Sequence, residues 1–462
     1  MKQIVYVLLL AGFCPRTGVA QSGADKGTLP STNGVAHPQT TVAAQSPTAG
    51  TAHPQTDTFL VSLLRSKASP FLLRVLDKPD SFRYQLIYTR IDRDNHNRPH
   101  FHNYYYRVNP LEYFNPASTV KMPLAFLSLE KINGLHRYGV DMNTPMDTDS
   151  SYSGQSSVSQ DTSAADGVPS VAQYIRKIFL VSDNDAYSRL YEFLGQEWIN
   201  RRLWQLGYPD MRITRRFVPM NEDENRHTNQ INFVVGGESL TDRASADRNV
   251  YTQPPAYSTI KFDFSHKVLL GNAHLDRHDS LIHEPMDFTT HNNFPLEDGQ
   301  RLLQSVLFPE SVPKKQRFHL RPDDYSFLYR YMSEYPRESQ HPKYDTGEYF
   351  DSYTKFFLFK AGRGHIPDYI RVFNKPGWAY GFLTDYAYIV DFKHNVEFML
   401  SGTIYTNSDG VLNDDKYDYE EIGYPFFKEV GEIIYLYELE RQRAVKPDLK
   451  KFQLQYGHGT AD

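Results

Sequence analysis

Ser118 and Lys121 are the residues whose types and spacing most directly suggest chemistry. They lie three positions apart in residues 115–121 (NPASTVK), at the start of an apolar stretch, so on a helix both side chains share one face. A serine hydroxyl is a weak nucleophile until a base takes its proton, and a lysine desolvated beside another cation can be neutral enough to do so. A helix N-terminus adds backbone N–H groups for a developing oxyanion. The pair therefore predicts a serine nucleophile with a lysine base.

The Ser-x-x-Lys spacing alone is not specific. It occurs five times, starting at Ser118, Ser128, Ser258, Ser311 and Ser352. Only the first serine directly opens an uninterrupted apolar helix after a predicted strand pair, and a Ser-Asp-Asn triplet follows it at 182–184. In that triplet Ser182 can pass a proton to a leaving group, and the Asn184 amide can bind both Lys121 and a substrate carbonyl. Capping of the next helix by the same triplet is compatible with this role.

The third candidate element is residues 375–377 (KPG), between a predicted strand at 370–373 and another at 380–391. Lys375 supplies a second cation, and Gly377 lets a substrate approach the backbone. Residues 360–362 (KAG) compete for this role, but a polar loop at 363–367 follows them, so Lys375 is preferred. The alternative for residues 375–377 is a simple turn.

These motifs in this order resemble the class A β-lactamase and penicillin-binding-protein superfamily. The resemblance covers residues 59–441 and includes residues 114–123 (FNPASTVKMP), which look like the family's nucleophile helix. It implies that Ser118 is the acylated nucleophile and that Lys121 is its base. It implies further that Ser182 relays a proton, that the Asn184 amide positions the substrate and that Lys375 anchors a substrate carboxylate. It also implies an oxyanion hole built from the N–H groups of Ser118 and Trp378, next to the substrate-binding Gly377.

The sequence departs from this superfamily at two positions. Val218, in residues 215–221 (RRFVPMN), stands where β-lactamases carry the glutamate that activates the deacylating water. Valine cannot accept a proton, so we expect slow deacylation unless Glu222, Asp223 or Glu224 substitutes; general-base catalysis is worth about 10²–10⁴-fold. Pro376 replaces the usual threonine or serine of the third motif and removes a hydroxyl that would help hold a carboxylate.

The predicted elements place both chain ends in one layer. A helix at 59–76, capped by Asp57 and interrupted near Pro70, precedes a hairpin of strands at 84–92 and 104–108. The middle of the chain is helical, with an exposed excursion expected at 146–170. Strands at 369–373, 380–391 and 396–405, the last two joined by a turn at 392–395, precede a closing helix at 425–441. The expected fold class is α/β (α+β): an antiparallel sheet flanked by helices from both chain ends, plus an all-helical subdomain, as in β-lactamases and transpeptidases.

The predicted domain is residues 57–445, with its helical part at about 117–350 and a C-terminal tail at 446–462. An insertion at about 233–345, rich in Tyr, His and Pro, is longer than such enzymes need. It predicts extra packing against the helical layer or, as the alternative, a lid or a surface for an envelope partner.

The N-terminus predicts export. Residues 1–20 read as a signal peptide cleaved before Gln21, and residues 21–56 as a disordered linker, which places the protein in the periplasm or outside the cell. A lipid anchor on Cys14 is the alternative, disfavoured by bulky Phe13 where a small residue is expected. No later apolar run is long enough for a transmembrane helix in the mature chain.

Charge and cysteine content exclude several classes of partner. A formal net charge of −5 gives nucleic acid no electrostatic reason to bind, and the single cysteine, Cys14, excludes an internal disulfide or thiolate metal site. Two histidine groups, at 96–102 and 274–283, predict solvated side chains in preference to a metal site, and no cofactor is expected.

The sequence as a whole predicts an exported serine hydrolase that forms an acyl-enzyme with amide or β-lactam carbonyls and deacylates slowly. Its substrate is a small molecule or a peptidoglycan peptide. The alternatives are a penicillin-binding or D-Ala-D-Ala peptidase-like enzyme, and a cell-envelope binding module that keeps the fold without turnover. Slow deacylation favours the peptidase-like alternative, and Val218 and Pro376 both favour the binding module.

Overall fold

The computed structural model describes residues 55–150, 152–234 and 249–457. The predicted signal peptide and nearly all of the predicted linker lie outside the described residues. Gln55 and Thr56, the last two residues of that linker, belong to the fold: Gln55 N donates to Val108 O (2.8 Å), and Thr56 Oγ1 accepts from Arg107 N (3.1 Å). None of the helices described is long and apolar enough to cross a membrane.

The helices follow the predicted pattern closely. Over the described residues they are α1 (Thr58–Lys67), α2 (Pro70–Leu76), α3 (Pro79–Phe82), α4 (Lys121–Leu135), α5 (Val171–Val181), α6 (Asn184–Leu194), α7 (Gln196–Gln205), α8 (Leu296–Leu307), α9 (Pro322–Ser333) and α10 (Tyr424–Glu440). Asp57 lies at the N-cap of α1, but its carboxylate accepts from Tyr105 N (2.7 Å) of the neighbouring strand instead of capping the helix.

The strands fall into one large sheet and several small ones. They are β1 (Gln85–Arg93), β2 (Pro99–Tyr106), β3 (Met146–Thr148), β4 (His227–Thr228), β5 (Ile231–Val234), β6 (Asn249–Gln253), β7 (Ala256–Tyr257), β8 (Leu269–Leu270), β9 (Ala273–Leu275), β10 (Leu281–Ile282), β11 (Met286–Asp287), β12 (Ile370–Ala379), β13 (Phe382–Asp391), β14 (Val396–Tyr405) and β15 (Val411–Leu412).

The large sheet is antiparallel, has five strands in the order β12-β13-β14-β1-β2, and is built from both ends of the domain. Strand β14 pairs with β1, with Gln85 opposite Thr403, so the predicted pairing of the terminal strands is confirmed. Side chains alternate between the two faces. Leu86 and Tyr88 pack under the terminal helices, and Ile87 and Ile91 pack against the helical part.

The helical part is organised around α4, whose hydrophobic residues are buried almost without exception. Helices α5 and α6 contact α4, and α8 and α9 contact the sheet. Leu302 and Leu328, from α8 and α9, are fully buried in the same core as α4. Much of the predicted insertion at 233–345 therefore packs into the domain core, and a lid or partner surface there stays a prediction.

Two local expectations are wrong. Strand β12 runs without a break from Ile370 to Ala379, so Pro376 and Gly377 lie inside the strand, and the turn comes at Tyr380 and Gly381. Proline is tolerated there because β12 is an edge strand. Residues 146–170, expected to be an exposed excursion, contribute strand β3 and several buried side chains.

Candidate active site

Ser118 lies on a tight backbone turn that leads into α4. Residues Ala117–Val120 form one 3₁₀ turn, and the side chains beside it hold its shape: Asn115 Oδ1 accepts from Ala117 N (2.8 Å), and Thr119 Oγ1 donates to Pro116 O (2.6 Å). Ala117 has φ of +46°, a left-handed conformation that costs a non-glycine residue about 1–3 kcal/mol. The turn leaves Ser118 half-buried at the edge of the sheet.

Gly377 of β12 packs directly against this turn. A Cβ atom at Gly377 would lie 2.6 Å from Ser118 N and 2.8 Å from Pro116 O. The turn that carries Ser118 fills the space beside Gly377, so this packing itself requires a glycine. The approach of a substrate to its backbone stays a prediction. The contact also brings the two predicted oxyanion donors, the N–H groups of Ser118 and Trp378, to the same edge of the sheet.

Ser182 is the residue on which the two predicted lysines converge. Lys121 Nζ lies 3.3 Å from Ser182 Oγ, also donates to Ser182 O, and donates to Asn184 Oδ1 at 2.6 Å. Lys375 Nζ donates to Ser182 Oγ at 2.9 Å and to Pro376 O at 2.7 Å. Side chains from α4, the α5–α6 connection and β12 thus meet at one hydroxyl.

The hydrogen bonds of Lys121 within the described chain go to the 182–184 triplet, and none goes to Ser118 Oγ. In the absence of substrate, catalytic hydrogen bonds are often long or poorly aligned, so this geometry does not exclude the predicted base. The structure brings the side chains of Lys121, Asn184 and Lys375 to Ser182 or its neighbours, whereas no described hydrogen bond joins the Ser118 hydroxyl to them. The assigned roles of these residues stay predictions.

Burial of the two lysines makes their amines unusually ready to lose a proton. Both side chains are completely inaccessible to solvent. Burial lowers the pKa of Lys121 to about 7, with Asp183 opposing the shift. Burial also holds the pKa of Lys375 well below its usual range, and the nearby Lys121 and Lys355 charges lower it further. At neutral pH the site can therefore hold a neutral amine next to Ser182.

The triplet at 182–184 both caps a helix and faces the site. Ser182 ends α5 with φ of +61°, in the left-handed region. Asp183 Oδ1 accepts from Ala186 N (2.7 Å) and caps α6. The exposed Asn184 begins α6, and its Oδ1 accepts from Lys121. Its amide nitrogen has no hydrogen-bond partner among the described residues, so it can donate to a substrate carbonyl. The expected compatibility of capping with site geometry is thus observed.

Phe217, which the sequence analysis missed, lies beside Lys121. Its ring centroid is 5.2 Å from Lys121 Nζ, and the ring stacks on Tyr187 at 4.5 Å. The resemblance described in the sequence analysis pointed to Val218, the next residue, as the position of the missing glutamate. Two of the acidic residues that could replace the missing glutamate are bound elsewhere. Asp223 accepts from the Tyr257 hydroxyl (2.9 Å), and Glu224 accepts from Asn221 N (2.7 Å).

A buried polar network behind β12 is the other feature that sequence reasoning missed. Lys355 Nζ donates to Asn374 Oδ1 (2.9 Å), and Asn374 Nδ2 donates to Asp385 Oδ1 (2.9 Å). Burial lowers the pKa of Lys355 to about 7 and raises the pKa of Asp385 to about 7. Lys355 closes one of the five Ser-x-x-Lys matches, but its position gave no signal of burial.

The loop that carries Phe217 is fixed by a buried ion pair. Arg216 and Glu192 contact one another with both side chains fully inaccessible, and Glu192 also accepts from Asn229 N. We expect Glu192→Gln to lower the free energy of unfolding by about 3–5 kcal/mol, because it leaves the Arg216 charge buried without compensation. Chemical denaturation measures the loss, and limited proteolysis at residues 215–226 should show a loosened loop.

The surface pair Lys428 and Glu432 supplies the control, since it is half-exposed and spans 3.7 Å. We expect Glu432→Gln to change stability by less than about 1 kcal/mol. Equal losses for Glu192→Gln and Glu432→Gln would contradict the structural role given to the buried pair.

A model of the beta-lactamase enzyme family matches residues 98–261, somewhat over a third of the chain. The match includes Ser118, Lys121, the 182–184 triplet and the Phe217 loop. It supports the resemblance to the β-lactamase and penicillin-binding-protein superfamily of serine hydrolases, and with it the predicted fold class. No curated protein matches the chain.

Several solved structures are similar to this chain at low identity. A beta-lactamase from Xanthomonas campestris pv. campestris is 12% identical, with a TM-score of 0.43, over 81% of this chain and 98% of that one. A beta-lactamase from Desulfarculus baarsii is 14% identical, with a TM-score of 0.41, over the same shares of the two chains. One from Sphaerobacter thermophilus is 12% identical, with a TM-score of 0.38, over 81% of this chain and 94% of that one.

Proposed function

We propose, from the β-lactamase-like family of residues 98–261, that this protein is an exported serine hydrolase that forms an acyl-enzyme on Ser118 and releases it slowly. Its substrates carry an amide or β-lactam carbonyl, as in small molecules or peptidoglycan peptides. The observation that carries the proposal is the convergence of Lys121 and Lys375 on Ser182 Oγ, beside the turn that presents Ser118.

Acylation follows from the chemistry of these groups. Neutral Lys121 takes the proton of Ser118 Oγ as this oxygen bonds to the substrate carbonyl carbon. The negative charge that develops on the carbonyl oxygen is stabilised by the N–H groups of Ser118 and Trp378. Ser182 then donates its hydroxyl proton to the leaving nitrogen as the C–N bond breaks, and Lys121, protonated in the first step, returns a proton to Ser182. The products of the step are the released amine and an ester on Ser118, and Lys121 is neutral again.

Slow deacylation follows from what lies beside Lys121. Hydrolysis of the ester needs a base for the attacking water, and general bases contribute about 10²–10⁴-fold. The loop places the apolar ring of Phe217 at 5.2 Å from the amine, where it offers no acceptor for a proton. An acyl-enzyme on Ser118 should therefore persist far longer than one provided with a carboxylate.

A penicillin-binding or D-Ala-D-Ala peptidase-like enzyme is the second candidate, and the Phe217 contact also favours it. Such an enzyme is acylated by β-lactams and keeps the adduct. The predicted signal peptide at 1–20 places either enzyme in the periplasm or outside the cell, and the intact mass of the exported protein distinguishes cleavage before Gln21 from lipidation at Cys14.

Covalent labelling tests the proposal. The protein is incubated with a fluorescent penicillin and, separately, with a fluorophosphonate, and the intact mass is followed over time. We expect an adduct located at Ser118 that is absent from Ser118→Ala. A persistent penicillin adduct favours the peptidase-like candidate, and a slowly released one favours the slow hydrolase. Absence of any adduct with both reagents would refute the enzyme and leave a non-catalytic binding module.

Phe217→Glu is expected to shorten the lifetime of the acyl-enzyme by about 10²-fold, because it places a carboxylate next to Lys121. The lifetime is measured by loss of the penicillin adduct. Phe217→Gln is the matched control, since glutamine has nearly the same shape as glutamate but cannot act as a base. It should leave the lifetime of the acyl-enzyme within a few-fold of the wild type. A larger gain from Val218→Glu than from Phe217→Glu would show that Val218, and not Phe217, faces the water.

A further inference from the structure

Four half-buried aromatic side chains form a continuous row beside the candidate active site. We name this row the aromatic wall, and it consists of Tyr344, Tyr349, Tyr353 and Trp378. Successive ring centroids are 5.2, 4.9 and 6.0 Å apart. Rings at these separations form one surface, and each ring keeps part of its area open to solvent. No role in the proposed acyl transfer uses this surface.

The segment that carries the wall is fastened to both sides of the site. Thr354 Oγ1 contacts Phe179 O (3.4 Å), three residues before Ser182, and Thr354 O accepts from Asn374 Nδ2 (2.7 Å) of β12. Burial is the main cause of the raised pKa values of Tyr344 and Tyr349, and the Asp183 carboxylate raises both further, so its charge reaches that end of the wall. The wall therefore spans the flank between the 182–184 triplet and the edge strand.

Lys360 holds the other end of the wall in place. Its Nζ lies 4.7 Å from the Tyr353 ring centroid and 5.4 Å from that of Trp378, and it donates to Tyr353 O at 2.8 Å. An ammonium is attracted to the faces of aromatic rings, and the attraction is stronger where both are shielded from water. The rings are thus positioned before any ligand arrives, and pre-ordered side chains lower the cost of binding.

The same flank offers a substrate carboxylate little attraction. Lys375 Nζ is inaccessible to solvent and already bound to Ser182 Oγ and Pro376 O. Pro376 has no hydroxyl, and the residue opposite it in the sheet is Asp385, an acid that accepts from Asn374. Asp183 adds a carboxylate at the far end of the wall. A negative group in this position would find aromatic faces, an inaccessible Lys375 amine and the Asp183 carboxylate.

We propose that the small-molecule substrate that this site prefers carries an uncharged aromatic ring on its leaving-group side, which packs on the aromatic wall. The leaving group is assigned to this flank because Ser182, its proton donor, lies there. The inference rests on the proposed acyl transfer for its chemistry, but ring binding itself does not require catalysis. A well-placed aromatic pair adds stabilisation beyond that of its buried area.

A pair of esters tests the preference. Phenyl acetate and 4-acetoxybenzoate share one acyl group, and only the second carries a carboxylate on its leaving ring. With kcat/KM corrected for the hydroxide-catalysed rate of each ester, we expect the uncharged ester to be favoured at least tenfold. We expect Tyr349→Ala combined with Tyr353→Ala to remove that preference, and Tyr138→Ala, at a remote exposed site, to keep it. A preference for the carboxylate, or no effect of the double substitution, would overturn the proposal.

Binding without turnover separates this proposal from the enzymatic one. Ser118→Ala is titrated with acetanilide and with 4-acetamidobenzoate, and the fluorescence of Trp378 is followed, with Trp378→Phe correcting for Trp198 and Trp204. We expect acetanilide to bind at least tenfold more tightly than its carboxylate analogue. If Ser118 is never acylated but this difference in affinity appears, ring binding at the aromatic wall is supported and the proposed hydrolase is refuted. If Ser118 is acylated and acetanilide does not bind, ring binding at the aromatic wall is refuted and the proposed hydrolase is kept.

Discussion

Lys121→Met is expected to slow acylation of Ser118 by about 10³-fold, because it removes the base without changing the length of the side chain much. The measurement is the rate of labelling by a fluorescent penicillin. In the wild type this rate should rise as the pH passes 7 and level off above about 8, since a base acts only when it is neutral and burial lowers the pKa of Lys121 to about 7. At its ordinary pKa of 10.5 the amine would be neutral in only about one molecule in 10³ at pH 7.

Lys131 provides the matched control on the same helix. It is half-buried, desolvation lowers its pKa to about 7, and its Nζ donates to Phe193 O away from Ser182. We expect Lys131→Met to leave the labelling rate within about twofold of the wild type. The control thus distinguishes the loss of any desolvated lysine from the loss of the base that serves Ser118. A labelling rate in Lys121→Met equal to that of Lys131→Met would show that another group takes the proton.

Gly377→Val is expected to reduce labelling of Ser118 by at least about 10²-fold, because a misplacement of about 1 Å at reacting groups can cost that much. The first added carbon would already lie 2.6 Å from Ser118 N and 2.8 Å from Thr119 N. Both neighbours are backbone atoms, so the nucleophile turn or the edge strand must move. Labelling rate and thermal stability are measured together to separate displacement of Ser118 from unfolding.

Gly134 of α4 is the control for loss of a glycine. An added Cβ there meets nothing within 4 Å, and the backbone is helical. Gly134→Ala should stabilise the protein by about 0.5–1 kcal/mol and leave labelling unchanged. Normal labelling in a folded Gly377→Val protein would contradict the contact between the edge strand and the nucleophile turn.

The sequence predicted the architecture well because its signals were local and strong. The apolar run after Ser118 and the turn at 392–395 predict elements whose bounds differ from the observed ones by only a few residues. The grouping of Ser118, Lys121, Ser182 and Lys375 came from motif order. Periodicity alone would not have brought residues so far apart in sequence together.

The missed features depend on three-dimensional neighbours. Pro376 and Gly377 indicate a turn by residue type, and only the edge position of β12 and its contact with the Ser118 turn explain why they lie in a strand. Phe217 was passed over because an alignment by motif selects Val218, whereas the observed loop presents the preceding ring to Lys121. Burial of Lys355 depends on Asn374 and on two backbone carbonyls from other segments.

The pairing of β14 with β1 has a consequence for biosynthesis. The ribosome completes Ser118 and Lys121 long before it reaches the strand that supports them, and the central sheet cannot close until Tyr405 has been made. Such distant pairings form late because the intervening chain must first be brought together. A product truncated by an early stop codon within or before β12 would carry the nucleophile but lack the strand that aligns it. The proposed activity can therefore appear only after the last strands of the large sheet have been made.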